Sequence, residues 1–223
     1  MKSRLLYLAA FDPFPPIGGG RLRVYNLLKN LLETFDIRLI CLSEAHDSSQ
    51  VDDFMTGRVD RVYYDRSRFK GVQGMLMGTP YEVAMFENQE LRQKIEDTVK
   101  DWDPHIIWFS RTAMLQYLEN LEVDGKVVLL DQHDLSRKLW RMMREGSTNL
   151  AARIVAAVNY FLIRLFEENV YRRLDLCFSV SAVEALETES FCGEDVNVTI
   201  VPNGVDIKRY SPSPQSRGES IVI

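Results

Sequence analysis

Cysteine and histidine are both scarce, with three of each in 223 residues. Cys41, Cys177 and Cys192 are far apart, odd in number and mostly within apolar runs. They read as reduced, buried thiols of a cytosolic protein rather than as a disulfide framework. His46 and His105 have no acidic or cysteine partners at ligand spacing, so no metal site is expected. A basic surplus is also missing: 27 Lys and Arg stand against 32 Asp and Glu, for a net charge of −5. That balance argues against a general nucleic-acid binder, which needs cations to displace counterions. No apolar run reaches the ~18 residues of a membrane span. The run from Leu5 to Phe11 is too short for a signal peptide and leads into Asp12, Pro13, Pro15 and Pro16, as a buried strand ending in a loop does.

Seven short apolar runs are present, separated by helix-periodic stretches. They are Leu5–Ala10, Ile37–Leu42, Val59–Tyr64, His105–Ser110, Lys126–Asp131, Leu174–Val180 and Val196–Val201. Several are apolar on both faces, the pattern of parallel strands covered on both sides. Leu22, Tyr25, Leu28, Leu31 and Phe35 make one helical stripe, and Leu91, Ile95, Val99 and Trp102 another. The stretch after Ala182 reads as a short helix capped near Gly193. The expected fold is α/β: a Rossmann-like, doubly wound, mainly parallel sheet of about seven strands with helices on both faces.

Asn149 to Leu174 reads as the longest helix, apolar on nearly every face of its middle. One reading lays it across the sheet. The other dips it into a membrane interface beside Arg137, Lys138, Arg141 and Arg144, as a peripheral contact. From Ser211 to Ser220 almost nothing is available to bury, and three β-branched residues, Ile221 to Ile223, follow. The expected organisation is a domain over 1–206, then an interdomain linker and the start of a second, truncated domain over 207–223.

Three segments carry candidate chemistry. Gly18, Gly19, Gly20 and Arg21 open the first helix, where free N–H groups and a partial positive charge suit a phosphate, with Arg23 adding charge. The same glycines also suit a plain flexible turn, and their spacing is neither a dinucleotide fingerprint nor a Walker loop. Asp131, Gln132, His133 and Asp134 follow the fifth strand, then Ser136 and Arg137, where open α/β sheets bind ligands. His133 suits a hydrogen bond to a sugar hydroxyl or a proton shuttle, and equally a structural role. Val201 to Asp206, with Asn203 and Gly204, is locally a turn after a strand.

Taken together, Pro16 to Arg21, His133-Asp134, Phe178 to Ser181 with Glu184, and Val201 to Asp206 resemble the retaining GT-B glycosyltransferases of family 4, the group 1 glycosyl transferases. The region Leu129–Trp140 is similar to a subgroup linked to exopolysaccharide assembly. The resemblance implies the N-terminal, acceptor-side half of a two-domain enzyme. It implies a UDP- or GDP-sugar donor held mostly by the missing half, a saccharide or lipid-linked acceptor, and transfer with retention and without a cofactor. His133 would contact the transferred sugar, and Gly18, Gly19, Gly20 and Arg21 the donor diphosphate or acceptor. Asp131, Asp134 and Arg137 would face the acceptor, while Ser181, Glu184, Asn203 and Gly204 would support the cleft. The family's donor-binding basic residue and paired glutamates lie downstream, so this stretch alone is expected to be inactive. A non-catalytic sugar- or phosphate-binding module and a GT-B sugar-nucleotide epimerase are the alternative readings.

Overall fold

The computed structural model describes residues 2–44, 51–192 and 196–204. His46, the expected cap at Gly193, and Val205 and Asp206 with the linker 207–223 lie outside them. The strands are β1 (Ser3–Ala9), β2 (Phe35–Ser43), β3 (Val59–Tyr63), β4 (Ile106–Ser110), β5 (Val127–Gln132), β6 (Leu176–Ser179) and β7 (Asn197–Ile200). The helices are α1 (Gly19–Leu31), α2 (Arg68–Leu76), α3 (Tyr81–Met85), α4 (Gln89–Trp102), α5 (Ser136–Gly146), α6 (Leu150–Val170) and α7 (Ala182–Cys192). All strand pairs are parallel, in the order β3-β2-β1-β4-β5-β6-β7. Every expected strand is present, and the sheet is wholly parallel. Phe35 begins β2 instead of closing the α1 stripe, because α1 ends at Leu31.

The two-sided apolar runs follow from two cores, one on each face of the sheet. In β1, Leu5, Tyr7 and Ala9 pack with Ile37, Leu39, Val24 and Leu28 under α1. The alternate residues Leu6 and Leu8 pack with Ile40, Phe109, Leu130 and the α4 residues Leu91 and Ile95. Each fully buried leucine contributes about 1.5–3 kcal/mol of transfer free energy, so the central strands dominate stability. Strand order reverses between β1 and β4, which opens a crevice at the carboxyl ends of these strands. The α1 start and the residues after β4 and β5 line that end of the sheet.

Helices α2 and α3 went unread in the sequence. They form a tight hairpin in which two glycines face inward. A Cβ on Gly74 would lie 2.1 Å from that of Ala84, and one on Gly71 would strike the Tyr81 ring. The hairpin is tied to α6, where the buried Asn159 Oδ1 accepts from the Tyr81 backbone N–H at 2.7 Å.

Helices α5 and α6 pack on each other around one buried ion pair. Arg137 Nε donates to Glu167 Oε2 at 2.9 Å, Nη2 donates to the Arg164 carbonyl, and the guanidinium lies 3.7 Å from the centre of the Phe191 ring in α7. Burial pushes the Glu167 carboxyl up to about 7; Arg137 offsets only part of that rise, and the nearby Glu82 adds to it. A carboxyl raised on folding gives stability that is complete below the ordinary carboxylate range and is lost as pH rises through about 7. Arg137→Met removes the counter-charge, so the cost should be about 3 kcal/mol at high pH and clearly smaller where Glu167 is protonated. Urea denaturation of both proteins at pH 5.5 and 8 measures this. An equal loss at the two values would mean that Arg137 acts through packing alone.

Candidate functional site

The site is built around Asp131, the fifth residue of β5, which is fully buried. A carboxylate there needs a counter-charge and hydrogen-bond donors, and Arg23 and His133 supply them. Arg23, on the second turn of α1, donates from Nε to both carboxylate oxygens at 3.0 Å and from Nη2 to Oδ1 at 2.7 Å. His133 Nε2 lies 3.1 Å from Oδ2. Burial is the largest single effect on Asp131 and opposes its charge, but the bonds from His133 and Arg23 together hold the carboxyl below its usual range. The remaining Arg23 nitrogen, Nη1, donates to Asn203 Oδ1 at 3.1 Å. Asp131 thus fastens α1 to the sheet, and Arg23 fastens the segment after β7 to α1.

The carboxylate also sets the histidine. An acceptor at Nε2 favours the tautomer that carries its proton there, which leaves a lone pair on Nδ1. Ser110 Oγ, at the end of β4, is 3.1 Å from the same Nε2. Nδ1 is buried and has no hydrogen-bond partner among the described residues. It faces Gly20, where an added Cβ would come within 3.3 Å of Nδ1 and 3.2 Å of Phe11 Cζ. The glycine is therefore needed for close approach of the helix start to the imidazole.

The two preceding glycines are different. Gly18 has φ +92°, a left-handed conformation suited to glycine, and around both Gly18 and Gly19 a Cβ would meet open space. Helix α1 has no side-chain cap and no acid in its first turn. Its first N–H groups and partial positive charge are open to an anion. Arg21 is half-buried and pairs with no carboxylate among the described residues. Arg23, read in the sequence as a second charge for the ligand, is instead bound by Asp131.

The other expected residues divide. Asp134 is exposed and pairs with Arg111 at 3.3 Å, a surface contact of little energetic weight. Arg111 follows β4 with φ +79°, unusual for a residue with a side chain, and lies over Phe11. Together with Glu82, Ser136 and Leu139, Arg111 and Asp134 line a groove beside the crevice. Ser136 Oγ donates to Glu82 Oε2 at 2.6 Å across it. Ser181 caps α7, its Oγ accepting from the Glu184 N–H at 3.3 Å. The Glu184 carboxyl is raised by burial; Lys138 opposes the rise, while Asp134 and Glu187 add to it. Asn203 belongs to the Asp131 cluster, and Gly204 is exposed with open space at its Cβ position. Arg137 is taken up by the α5–α6 packing and points its charge at Glu167.

The structure therefore brings together Gly20, Asp131, His133 and Asn203, and adds Arg23, Ser110 and Phe11, whose parts the sequence did not reveal. One signal was available: a carboxylate ending a strand apolar on both faces requires a buried cation. Among the described residues no cluster of His, Cys, Asp or Glu fits a metal ion. The Cys41 and Cys177 thiols are raised by burial and have little thiolate character.

No family model matches the chain, and no curated protein matches it in sequence. Solved structures do match in fold. Sucrose-phosphate synthase from Thermosynechococcus elongatus aligns with a TM-score of 0.66 at 12% identity, over 97% of this chain and 52% of its own. UGT2 of Phytolacca americana, solved with UDP-2-fluoro-glucose and pterostilbene, gives 0.51 at 11% identity, over 92% and 54%. The N-terminal domain of trehalose-6-phosphate phosphatase from Candida albicans gives 0.51 at 12% identity, over 94% and 50%. The chain spans about half the length of each of these, and the likeness is one of fold: the Rossmann-like half of a GT-B protein.

Asp131→Asn leaves the Arg23 guanidinium buried against a neutral amide, and should cost about 3–5 kcal/mol. A carboxyl lowered on folding contributes stability above its ordinary range and loses it as pH falls through the folded value. Below about pH 5 the variant should therefore lose stability less steeply than the parent. Parallel denaturation curves for the two proteins would remove Asp131 from this role.

Proposed function

We propose that this chain is the acceptor-side half of a retaining glycosyltransferase of the GT-B type, similar to family 4, which moves a sugar from a UDP- or GDP-linked donor to a saccharide or lipid-linked acceptor. The carrying observation is the uncapped, glycine-opened start of α1, with Arg21 unpaired among the described residues, set directly against His133 at the strand-order reversal. A solved neighbour complexed with UDP-2-fluoro-glucose supports the donor class, and the resemblance of Val201 to Asp206 to the family's domain junction supports the half-enzyme assignment.

In this reading the Gly18–Gly20 N–H groups and Arg21 face the donor diphosphate and stabilise the charge that grows on it as the glycosidic bond breaks. His133 is assigned to the transferred sugar, with its Nδ1 accepting from a hydroxyl. Reaching that atom requires Phe11 or the Gly20 turn to move, because the side chain is only 5% exposed. The groove of Glu82, Arg111, Asp134 and Ser136 is assigned to acceptor hydroxyls. Donor binding and the remaining catalytic groups belong to the other half, so this chain alone does not turn over. Its place is the cytoplasmic side, in polysaccharide or glycoconjugate synthesis.

A second reading, a non-catalytic sugar- or phosphate-binding module, is favoured by one observation. The site's histidine, His133, is sealed, and a matched neighbour is the N-terminal domain of an enzyme named for phosphatase activity.

Gly19→Val separates these readings in the whole protein. The position is sterically open, so the thermal midpoint should stay within about 2 °C while turnover of the nucleotide sugar falls at least ~100-fold. Unchanged turnover would sink the assignment of the α1 start. For His133→Ala, a loss in rate larger than the loss in donor affinity marks contact with the reacting sugar; equal losses mark binding alone.

A further inference from the structure

The sheet's cores are closed, yet large apolar side chains remain exposed, and most of them among the described residues stand on α2, α5 and α6. On α6, Leu150, Ile154, Val158, Phe161 and Leu165 form an outward stripe about 22 Å long at helical rise. On α2, which packs against α6, Phe69, Val72 and Leu76 point outward in the same way, with Leu76 86% exposed. Helix α5, also packed on α6, carries the exposed Met142 and Met143 in its second half. Scattered apolar side chains on a surface are ordinary, but their concentration on α6 and the two helices packed against it marks a contact surface.

Basic residues outnumber acids around this set. From Leu135 to Glu168 six basic residues stand against Glu145, Glu167 and Glu168, in a chain whose net charge is −5, and Arg137, Arg141, Arg144 and Arg164 are held in ion pairs. Helix α2 adds Arg68 and Lys70 and contains no acid. Arg68, Lys70 and Arg153 are exposed and make no ion pair among the described residues. No described helix is long and apolar enough to cross a bilayer. We infer that the α2–α5–α6 face lies on an anionic lipid bilayer, with Phe161, Ile154 and Leu76 entering the interfacial region and Arg68, Lys70 and Arg153 meeting phospholipid headgroups. A second copy of the chain is the competing occupant, since the α6 stripe has the spacing of a helix-pairing seam. Self-pairing would bring Arg68, Lys70 and Arg153, which no acid among the described residues offsets, towards the like charges of the second copy. The inference stands apart from the transferase reading, because it uses none of the site residues.

The test is sedimentation of the full chain with vesicles of phosphatidylcholine alone, or with phosphatidylglycerol as a third of the lipid. The chain should partition onto the anionic vesicles only, and about 0.5 M salt should weaken binding severalfold. Ile154→Glu combined with Phe161→Glu should lower partitioning at least ~10-fold. Circular dichroism checks folding, and the charge variant Arg68→Glu with Lys70→Glu and Arg153→Glu, which leaves the apolar face intact, should also lose binding. Equal binding to both vesicle types would overturn the proposal, as would no binding to either. A sedimenting dimer that Ile154→Glu with Phe161→Glu dissolves, without vesicle binding, would assign the face to a second copy instead.

Discussion

The contact on which the site depends is the buried ion pair between Asp131 and Arg23. Isolated, either charge would be intolerable where it sits; together they are held by three N–H···O bonds and a histidine. The pair is a poor source of net stability, because desolvation offsets most of the attraction. Its consequence is geometric. Arg23 is two residues beyond Arg21 on the same helix, so fixing its guanidinium on β5 fixes the direction of the α1 start. The glycines then have one place to be, against His133, and Arg21 is left with its charge unpaired among the described residues. A hydrophobic pair in the same positions would pack α1 equally well without setting the imidazole's tautomer.

The sheet was legible because its strands are buried on both faces. Continuous apolar runs leave little freedom of interpretation when seven of them alternate with helical stripes. The site was legible in part. A glycine-rich turn after β1 and polar residues after β5 fall where the fold makes ligands accessible, and both are at the strand-order reversal. Arg23 was misjudged for a physical reason: its sequence neighbourhood is that of a charged helix start, and only the third dimension brings a carboxylate 108 residues away into contact. Arg137 was misjudged similarly, since its partner Glu167 lies 30 residues away on the next helix. Charged residues near a candidate site read alike in one dimension, whether they await a ligand or are already neutralised.

Helix α3 went unread because it has only five residues, and α2 because its pattern is inverted. Sequence periodicity identifies a helix by apolar residues on its buried face, and α2 buries only Gly71 and Gly74. Its apolar residues look outward. Read conventionally, Arg68 to Met77 is a glycine-broken stretch of no clear type. Read from the packing, the glycines let α2 approach α3 closely enough to be held, and the outward stripe is left available. The same inversion explains why α6 is apolar nearly all round: one face covers the sheet through Ile163 and Val170, and the other is the exposed seam.

These two features meet in α5. The helix begins at the groove, where Ser136 binds Glu82 and Lys138 acts on Glu184, and its second half carries the exposed methionines of the outward face. Its 11 residues correspond to about 16 Å of helix. A lipid surface lying on that face would therefore be within one short helix of the groove, close enough for the polar head of a membrane-bound molecule to reach Arg111 and Asp134 while its chains remain in the bilayer. The placement requires no movement of the sheet, because α5 is locked to α6 by Arg137 and Glu167. That buried pair, silent in any contact with ligand, is what would hold the distance between the lipid-facing surface and the site constant.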